Sequence, residues 1–122
     1  MEDQSVLVIE DNELNMKLIT ALLKIGKYRV FEALDAESGL ELAREHRPDL
    51  ILMDIQLPGM DGLTATREIK KDDSLKQIPV IALTSYAMQG EEERARSAGC
   101  NAYIPKPIDT RHFLEQLTSL LK

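Results

Sequence analysis

Short apolar runs alternate with amphipathic segments along the whole chain, and this alternation limits the fold more than any other feature of the sequence. Residues 6–9, 50–53 and 80–83 are continuous apolar runs, typical of strands that are covered on both faces. Residues 28–33 are more polar, as expected at a sheet edge, and residues 102–104 form the last run. A helical pattern follows each run. The sequence therefore predicts an α/β fold of the (βα)5 type: a doubly wound, five-stranded parallel sheet of order 2-1-3-4-5 with flavodoxin-like topology.

Residues that favour helix termini flank the predicted helices. Gly26 and Gly99 are expected to end the first and the fourth helix, and the fourth helix is expected to begin near residue 88. The predicted N-caps are Asn12, Asp35, Asp61 and Asp109. The apolar residues at helical spacing are Leu14, Leu18, Ala21, Leu22 and Ile25 in the first helix and Phe113, Leu114, Leu117, Leu120 and Leu121 in the last. In each helix these residues define the face that is expected to pack on the sheet.

The charge balance and the cysteine count exclude several functions. The 21 acidic residues outnumber the 15 basic ones and give a net charge of −6, so nucleic acid and anionic membranes are poor partners. The single cysteine, Cys100, excludes an internal disulfide and a thiolate metal cluster, and it fits the reducing cytoplasm. No apolar run approaches the roughly 20 residues of a membrane helix. We therefore expect one cytoplasmic domain over residues 1–122, with no room for an output domain.

Charged and hydroxyl side chains follow four of the predicted strands. Glu10 and Asp11 follow the first, Asp54 the third, Thr84 ends the fourth, and Lys106 follows the fifth. Because the carboxyl ends of parallel strands share one edge, these side chains should converge there. Three carboxylates and one ammonium leave a charge that one divalent cation would neutralise, and oxygen ligands alone suit Mg²⁺ or Mn²⁺. A carboxylate beside such an ion can act as a nucleophile toward a phosphoryl group.

Four motifs at these strand ends make the sequence resemble the receiver domain of two-component response regulators. They are VLVIEDN at residues 6–12, LILMDIQLPGMDG at 50–62, PVIALTSYA at 79–87 and AYIPKP at 102–107. The separations agree as well, with 30 residues from Asp54 to Thr84 and 22 from Thr84 to Lys106. The resemblance covers essentially the whole chain.

The resemblance implies a phosphoacceptor site with bound Mg²⁺. Asp54 would accept the phosphoryl group, while Glu10, Asp11, Asp54 and the backbone carbonyl of Gln56 would hold the metal ion. Lys106 would pair with the acceptor carboxylate and then with the phosphoryl group, and the bond that joins it to the following proline would be cis. The protein would then be a signalling switch that assists its own phosphorylation and dephosphorylation, not an enzyme with a separate substrate.

The resemblance also implies switch residues. Thr84 would turn its hydroxyl onto the phosphoryl group, and Tyr103 would move inward with it, although a tyrosine in a terminal strand is equally compatible with a plain core role. Gln56 and Tyr86 either gate the hydrolytic water or are ordinary loop residues. The acidic run 91–93 is predicted to be a solvated face of the fourth helix. That helix has few apolar residues to anchor it, namely Met88, Ala95 and Ala98. We expect phosphorylation to move it.

A narrower resemblance concerns the role in signalling. Two segments, EDNELNMKL at residues 10–18 and GCNAYIPKPI at 99–108, are similar to those of stand-alone cell-cycle regulators of the DivK type. Receivers attached to hybrid histidine kinases have much of the same sequence in these segments. The implied partners are a histidine kinase or histidine phosphotransfer protein and a downstream protein that binds the last two helices and the last strand. We expect a monomer, while dimerisation on phosphorylation and a role as a phosphorelay shuttle stay open.

Three other classes of function place different demands on these residues. A phosphatase of the haloacid-dehalogenase type needs a second acid two residues after its nucleophilic aspartate, where this chain has Gln56. A flavin carrier needs a hydroxyl- and glycine-rich loop after the first strand, where this chain has Glu10, Asp11 and Asn12, which would repel a phosphate. A module that binds its partners whatever its phosphorylation state stays open.

Overall fold

The computed structural model describes residues 4–57, 59–85 and 90–121, with the side chains of Ser85 and Leu121 left aside. Within these ranges the chain forms five strands and five helices in alternation, and none of the helices has the length and apolar character to cross a membrane. The elements are β1 (Ser5–Ile9), α1 (Glu13–Ile25), β2 (Arg29–Ala33), α2 (Ala36–His46), β3 (Leu50–Asp54), α3 (Gly62–Lys71), β4 (Val80–Ser85), α4 (Glu91–Ala98), β5 (Ala102–Lys106) and α5 (Phe113–Leu121).

The strands form one parallel sheet of order β2-β1-β3-β4-β5, which confirms the predicted fold class and the edge position of β2. The register aligns the carboxyl ends of the strands: Asp54 lies beside Leu83, and Thr84 lies beside Pro105. One edge of the sheet therefore carries the residues that follow β1, β3, β4 and β5.

Side chains of the inner strands point alternately to two cores, as the period of a strand requires. In β1, Val6 and Val8 belong to the core that contains residues of α1 and α5, whereas Leu7 and Ile9 belong to the core that contains residues of α2, α3 and α4. All four are fully buried. The continuous apolar runs of the sequence thus reflect strands covered by helices on both faces.

The predicted N-caps are correct for three helices. The side chains of Asn12, Asp35 and Asp61 accept hydrogen bonds from backbone N–H groups three residues later, at 3.0, 2.8 and 2.8 Å. The prediction for Asp109 is wrong, because α5 begins only at Phe113. The carboxylate of Asp109 instead accepts the backbone N–H of Arg111 in the preceding turn, at 3.1 Å.

The predicted inner face of α1 is also wrong. The buried residues are Met16, Ile19, Thr20 and Leu23, whereas Leu14 and Ile25 are 76% and 70% exposed. The helix carries two apolar stripes, and its sequence pattern alone does not say which one faces the sheet. In α5, Phe113 and Leu117 are buried as predicted, but Leu120 is 40% exposed, and the Leu121 side chain lies outside the description.

The fourth helix begins later than predicted. It starts at Glu91, after Gly90 in the left-handed region with a φ of 89°, and Met88 lies outside the described residues. Gly99 ends the helix as predicted, with a φ of 112°. Ala95 and Ala98 are buried, and so is Glu91, which contradicts the prediction that the whole run 91–93 is solvated.

Candidate functional site

Three carboxylates meet at the carboxyl edge of the sheet. Glu10 follows β1 and Asp54 ends β3, and both are almost completely buried, whereas Asp11 is exposed. One carboxylate oxygen from each of the three lies within 4.8 Å of the other two. Such closeness is unfavourable for ionised groups unless a cation offsets their charge.

Lys106, the last residue of β5, supplies part of that charge. Its Nζ atom lies 3.0 Å from Oδ2 of Asp54, to which it donates a hydrogen bond, and 3.1 Å from Oε1 of Glu10. Burial alone would lower the pKa of Lys106, but the hydrogen bond and charge of Asp54, together with the charge of Glu10, outweigh burial and raise the pKa. The ammonium is therefore held in its charged form. The peptide bond between Lys106 and Pro107 is cis, as the resemblance implies.

Backbone N–H groups hold the two buried carboxylates in place. Gln56 donates to Oδ1 of Asp54 at 2.9 Å, and Asn12 donates to Oε2 of Glu10 at 3.1 Å. Burial, and then the charge of Asp54, raise the pKa of Glu10 against the opposing effect of the hydrogen bond from Asn12 and of Lys106. The site is thus short of positive charge as it stands.

Two buried oxygen atoms of the site make no hydrogen bond within the described part of the chain. They are Oε1 of Glu10, which has only the ion pair with Lys106, and Oγ1 of Thr84 at the end of β4. Buried polar atoms are almost always satisfied, so such atoms indicate a missing partner. The donor set consists of hard oxygen atoms with a deficit of positive charge, and it fits a divalent cation such as Mg²⁺ next to a polar ligand at Thr84.

The predicted switch and gating residues lie in different surroundings, and one of them is outside the described residues. Tyr103 is half-buried on β5, with the Arg96 guanidinium 5.1 Å from the centre of its ring. Tyr86 lies outside the described residues. The exposed Gln56 donates a hydrogen bond from its side-chain amide to Oε2 of Glu91, at 3.0 Å.

Glu91 is the residue near the site that sequence reasoning missed. As one of three consecutive glutamates, it is predicted to lie on a solvated helix face, yet only 1% of it is exposed. The helical spacing contained the necessary signal, because Glu91 shares a stripe with Ala95 and Ala98, four and seven residues later, which are buried. The charge of the run concealed that stripe.

Comparison with known proteins agrees with this geometry. The profile of the response regulator receiver domain family matches residues 6–118. The chain therefore belongs to that family of two-component signalling proteins. The polar-differentiation response regulator DivK of Brucella anthropi is 53% identical over 118 residues, which cover 97% of this chain and 96% of that protein, and DivK of Brucella ovis is 52% identical over the same length. The expected similarity to DivK-type receivers is confirmed.

Solved structures share the fold. The receiver domain of a sensor histidine kinase from Pseudomonas aeruginosa PAO1 has a TM-score of 0.89 at 38% identity, over 98% of both chains, and that structure has a magnesium ion coordinated in its active-site cleft. The chemotaxis response regulator CheY4 of Vibrio cholerae has a TM-score of 0.90 at 22% identity, over 97% of this chain and 98% of that one, and at this identity it supports the fold alone.

Proposed function

We propose that Asp54 accepts a phosphoryl group from the phosphohistidine of a histidine kinase or a histidine phosphotransfer protein. The proposal rests on one observation above all: the buried Asp54 carboxylate lies between a lysine ammonium at 3.0 Å and two further carboxylates within 4.8 Å. A buried acid in this environment has no evident role in packing. It is suited to react where a metal ion and a lysine neutralise the charge of a phosphoryl group.

Glu10, Asp11, Asp54 and the backbone carbonyl of Gln56 would hold Mg²⁺, with Mn²⁺ as a substitute. When bound, the ion offsets the charge on the phosphoryl oxygens. The Asp54 carboxylate oxygen bonds to phosphorus, the bond between phosphorus and the histidine nitrogen breaks, and its electron pair remains on the imidazole. The product is an acyl phosphate on Asp54.

Lys106 at the end of β5 and Thr84 in β4 would bind the phosphoryl oxygens. The Lys106 ammonium already contacts Asp54 and is close enough to neutralise an added oxygen. The buried Thr84 hydroxyl has no hydrogen bond among the described residues and would donate one to a phosphoryl oxygen. Both interactions would be stronger after phosphorylation than before it.

The response would be a change of protein-binding surface. Thr84 turns toward the phosphoryl group, Tyr103 moves inward, and α4 shifts with β5 and α5, because α4 is anchored by few buried side chains. In this proposal residues 1–122 work as one monomeric receiver domain in the cytoplasm. Its output is contact with another protein at this face or transfer of the phosphoryl group to one.

The decisive experiment is intact mass after incubation with a small acyl-phosphate donor, with and without Mg²⁺. We expect a phosphoryl adduct that requires Mg²⁺, is absent in Asp54→Asn, and persists in Asp73→Asn, which changes an exposed acid away from the site. An adduct in Asp54→Asn would place the acceptor elsewhere. A folded wild-type protein without any adduct would favour a module that binds partners independently of phosphorylation.

A further inference from the structure

The hydrogen bond between Gln56 and Glu91 joins two segments that border the acceptor site. Gln56 stands two residues after Asp54, and Glu91 stands seven residues after Thr84, as the first residue of α4. The strands that carry Asp54 and Thr84, β3 and β4, are neighbours in the sheet. The 3.0 Å hydrogen bond between the Gln56 amide and the Glu91 carboxylate therefore links the segment that follows β3 to the helix that follows β4.

Glu91 is the buried partner in this hydrogen bond. It is 1% exposed, whereas the adjacent Glu92 and Glu93 are exposed. Burial of a carboxylate costs free energy unless hydrogen bonds compensate, and the Gln56 amide is one of the groups that interact with it. An otherwise exposed amide is thus held by a buried side chain.

Gln56 contacts the acceptor and the helix at the same time. Its backbone N–H donates to Oδ1 of Asp54 at 2.9 Å, and its side chain donates to Glu91. A fixed side-chain amide limits the rotation of Gln56 beside the acceptor. The interaction with Glu91 therefore decides which space near Asp54 the Gln56 side chain occupies.

We propose that Glu91 is a positioning residue for hydrolysis of the aspartyl phosphate. By holding the Gln56 amide between the β3–α3 loop and α4, it keeps that side chain across one approach to the site and slows the attack of water. The inference rests on the proposed role of Asp54. In hydrolysis the water oxygen bonds to phosphorus, the bond from phosphorus to the Asp54 oxygen breaks with its electron pair left on the carboxylate, and a water proton passes to the released phosphate or to solvent.

A double-mutant cycle on the full chain tests this. Wild type, Gln56→Ala, Glu91→Ala and the double variant are loaded with an acyl-phosphate donor and Mg²⁺, separated from the donor, and followed by intact mass. We expect each single variant to shorten the lifetime of the adduct by about threefold to tenfold, and the double variant to match the singles, since Glu91 acts through Gln56. Glu91→Gln keeps an oxygen that accepts the same hydrogen bond and should remain within about twofold of wild type.

Glu92→Ala is the matched control, because it removes an exposed glutamate from the same helix turn and should leave the lifetime unchanged. If Glu91→Ala is poorly folded, Glu91→Leu takes its place in the cycle, since leucine fills much of the same buried space but offers no oxygen to the Gln56 amide. Unchanged decay in Gln56→Ala, or effects that multiply in the double variant, would overturn the role of Glu91. A wild-type chain with no adduct would instead overturn the acceptor role of Asp54, and this inference with it.

Discussion

The Lys106 ammonium lies 3.0 Å from Oδ2 of Asp54, although the two residues are 52 positions apart in sequence. The same ammonium lies 3.1 Å from Oε1 of Glu10, so one cation pairs with two buried carboxylates. An oxygen of a third carboxylate, Asp11, lies within 4.8 Å of an oxygen of each of these two. The site has more negative than positive charge. In the absence of a metal ion, this excess should lower the stability of the fold.

Asp54→Asn should stabilise the metal-free protein. The amide oxygen can still accept the Gln56 N–H, and Lys106 keeps Glu10 as a partner. Burial still raises the pKa of Glu10, but the added effect of the Asp54 charge is removed. We expect the free energy of unfolding in urea to rise by about 1 kcal/mol in a chelating buffer. Mg²⁺ should then stabilise the variant less than the wild type. A variant that is less stable than the wild type in chelator would contradict this view of the site.

Lys106→Met should have the opposite effect. Its apolar stem is retained, but Asp54 and Glu10 lose their shared cation. We expect a loss of about 1–3 kcal/mol at pH 7 in chelator, measured by urea unfolding. The loss should shrink at mildly acidic pH, because the raised pKa of Glu10 lets that carboxyl become neutral. Lys76→Met, at a surface ion pair, is the control, and an equal loss at both pH values would count against the charge argument.

Much of the fold and the convergence at the sheet edge was predictable, for a physical reason. Fully covered strands must be apolar throughout, so residues 6–9 and 50–53 stood out, and parallel pairing then brings their carboxyl ends together. Glu10, Asp54 and Lys106 lie close to one another because of that topology alone.

Two features of the helices could not be predicted from the sequence: the buried face of α1 and the partner of the buried glutamate in α4. In α1 two stripes are apolar, and contact with the sheet selects the one that contains Ile19. In α4 the helical spacing places Glu91 on the stripe of Ala95 and Ala98, but it does not show that the Gln56 amide, 35 positions earlier in the chain, donates a hydrogen bond to this glutamate. Neither outcome is set by local composition, since both depend on partners that are distant in sequence.

Two isoleucines of α1 test the corrected helix face. Ile19 is fully buried and Ile25 is 70% exposed, so the same substitution samples both sides of one helix. We expect Ile19→Ala to reduce the free energy of unfolding by about 2–5 kcal/mol and Ile25→Ala to change it by less than about 0.5 kcal/mol. Urea unfolding of the two variants measures this difference. A loss in Ile25→Ala as large as that in Ile19→Ala would contradict this assignment of the buried face.

Gly62 should tolerate no side chain, because it packs on the acceptor strand. A Cβ atom there would contact the carbonyl oxygen of Asp54 and would lie 2.6 Å from Cα of Ile55, and both of these are backbone atoms. We expect Gly62→Ala to cost about 1–3 kcal/mol. In Gly59→Ala a Cβ would meet no atom of the described residues within 4 Å, so the strain of its φ of 70° is the expected cost, about 1 kcal/mol. Thermal unfolding of both should rank Gly62→Ala as the less stable, and the reverse order would contradict the packing argument.

The pair His112 and Asp109 should give the turn before α5 a pH-dependent contact. Nδ1 of His112 lies 2.8 Å from Oδ2 of Asp109, and this hydrogen bond and charge raise the pKa of His112 and lower that of Asp109. The contact is complete when the imidazole is protonated and the carboxylate ionised. It is lost as the pH rises through the raised pKa of His112, above about 6.5, and as the pH falls through the lowered pKa of Asp109, below about 3.8.

NMR titration should show a lower pKa for His112 in Asp109→Asn than in the wild type, and a smaller difference at high salt because both groups are exposed. Equal values in the two proteins would mean that the contact does not persist in solution.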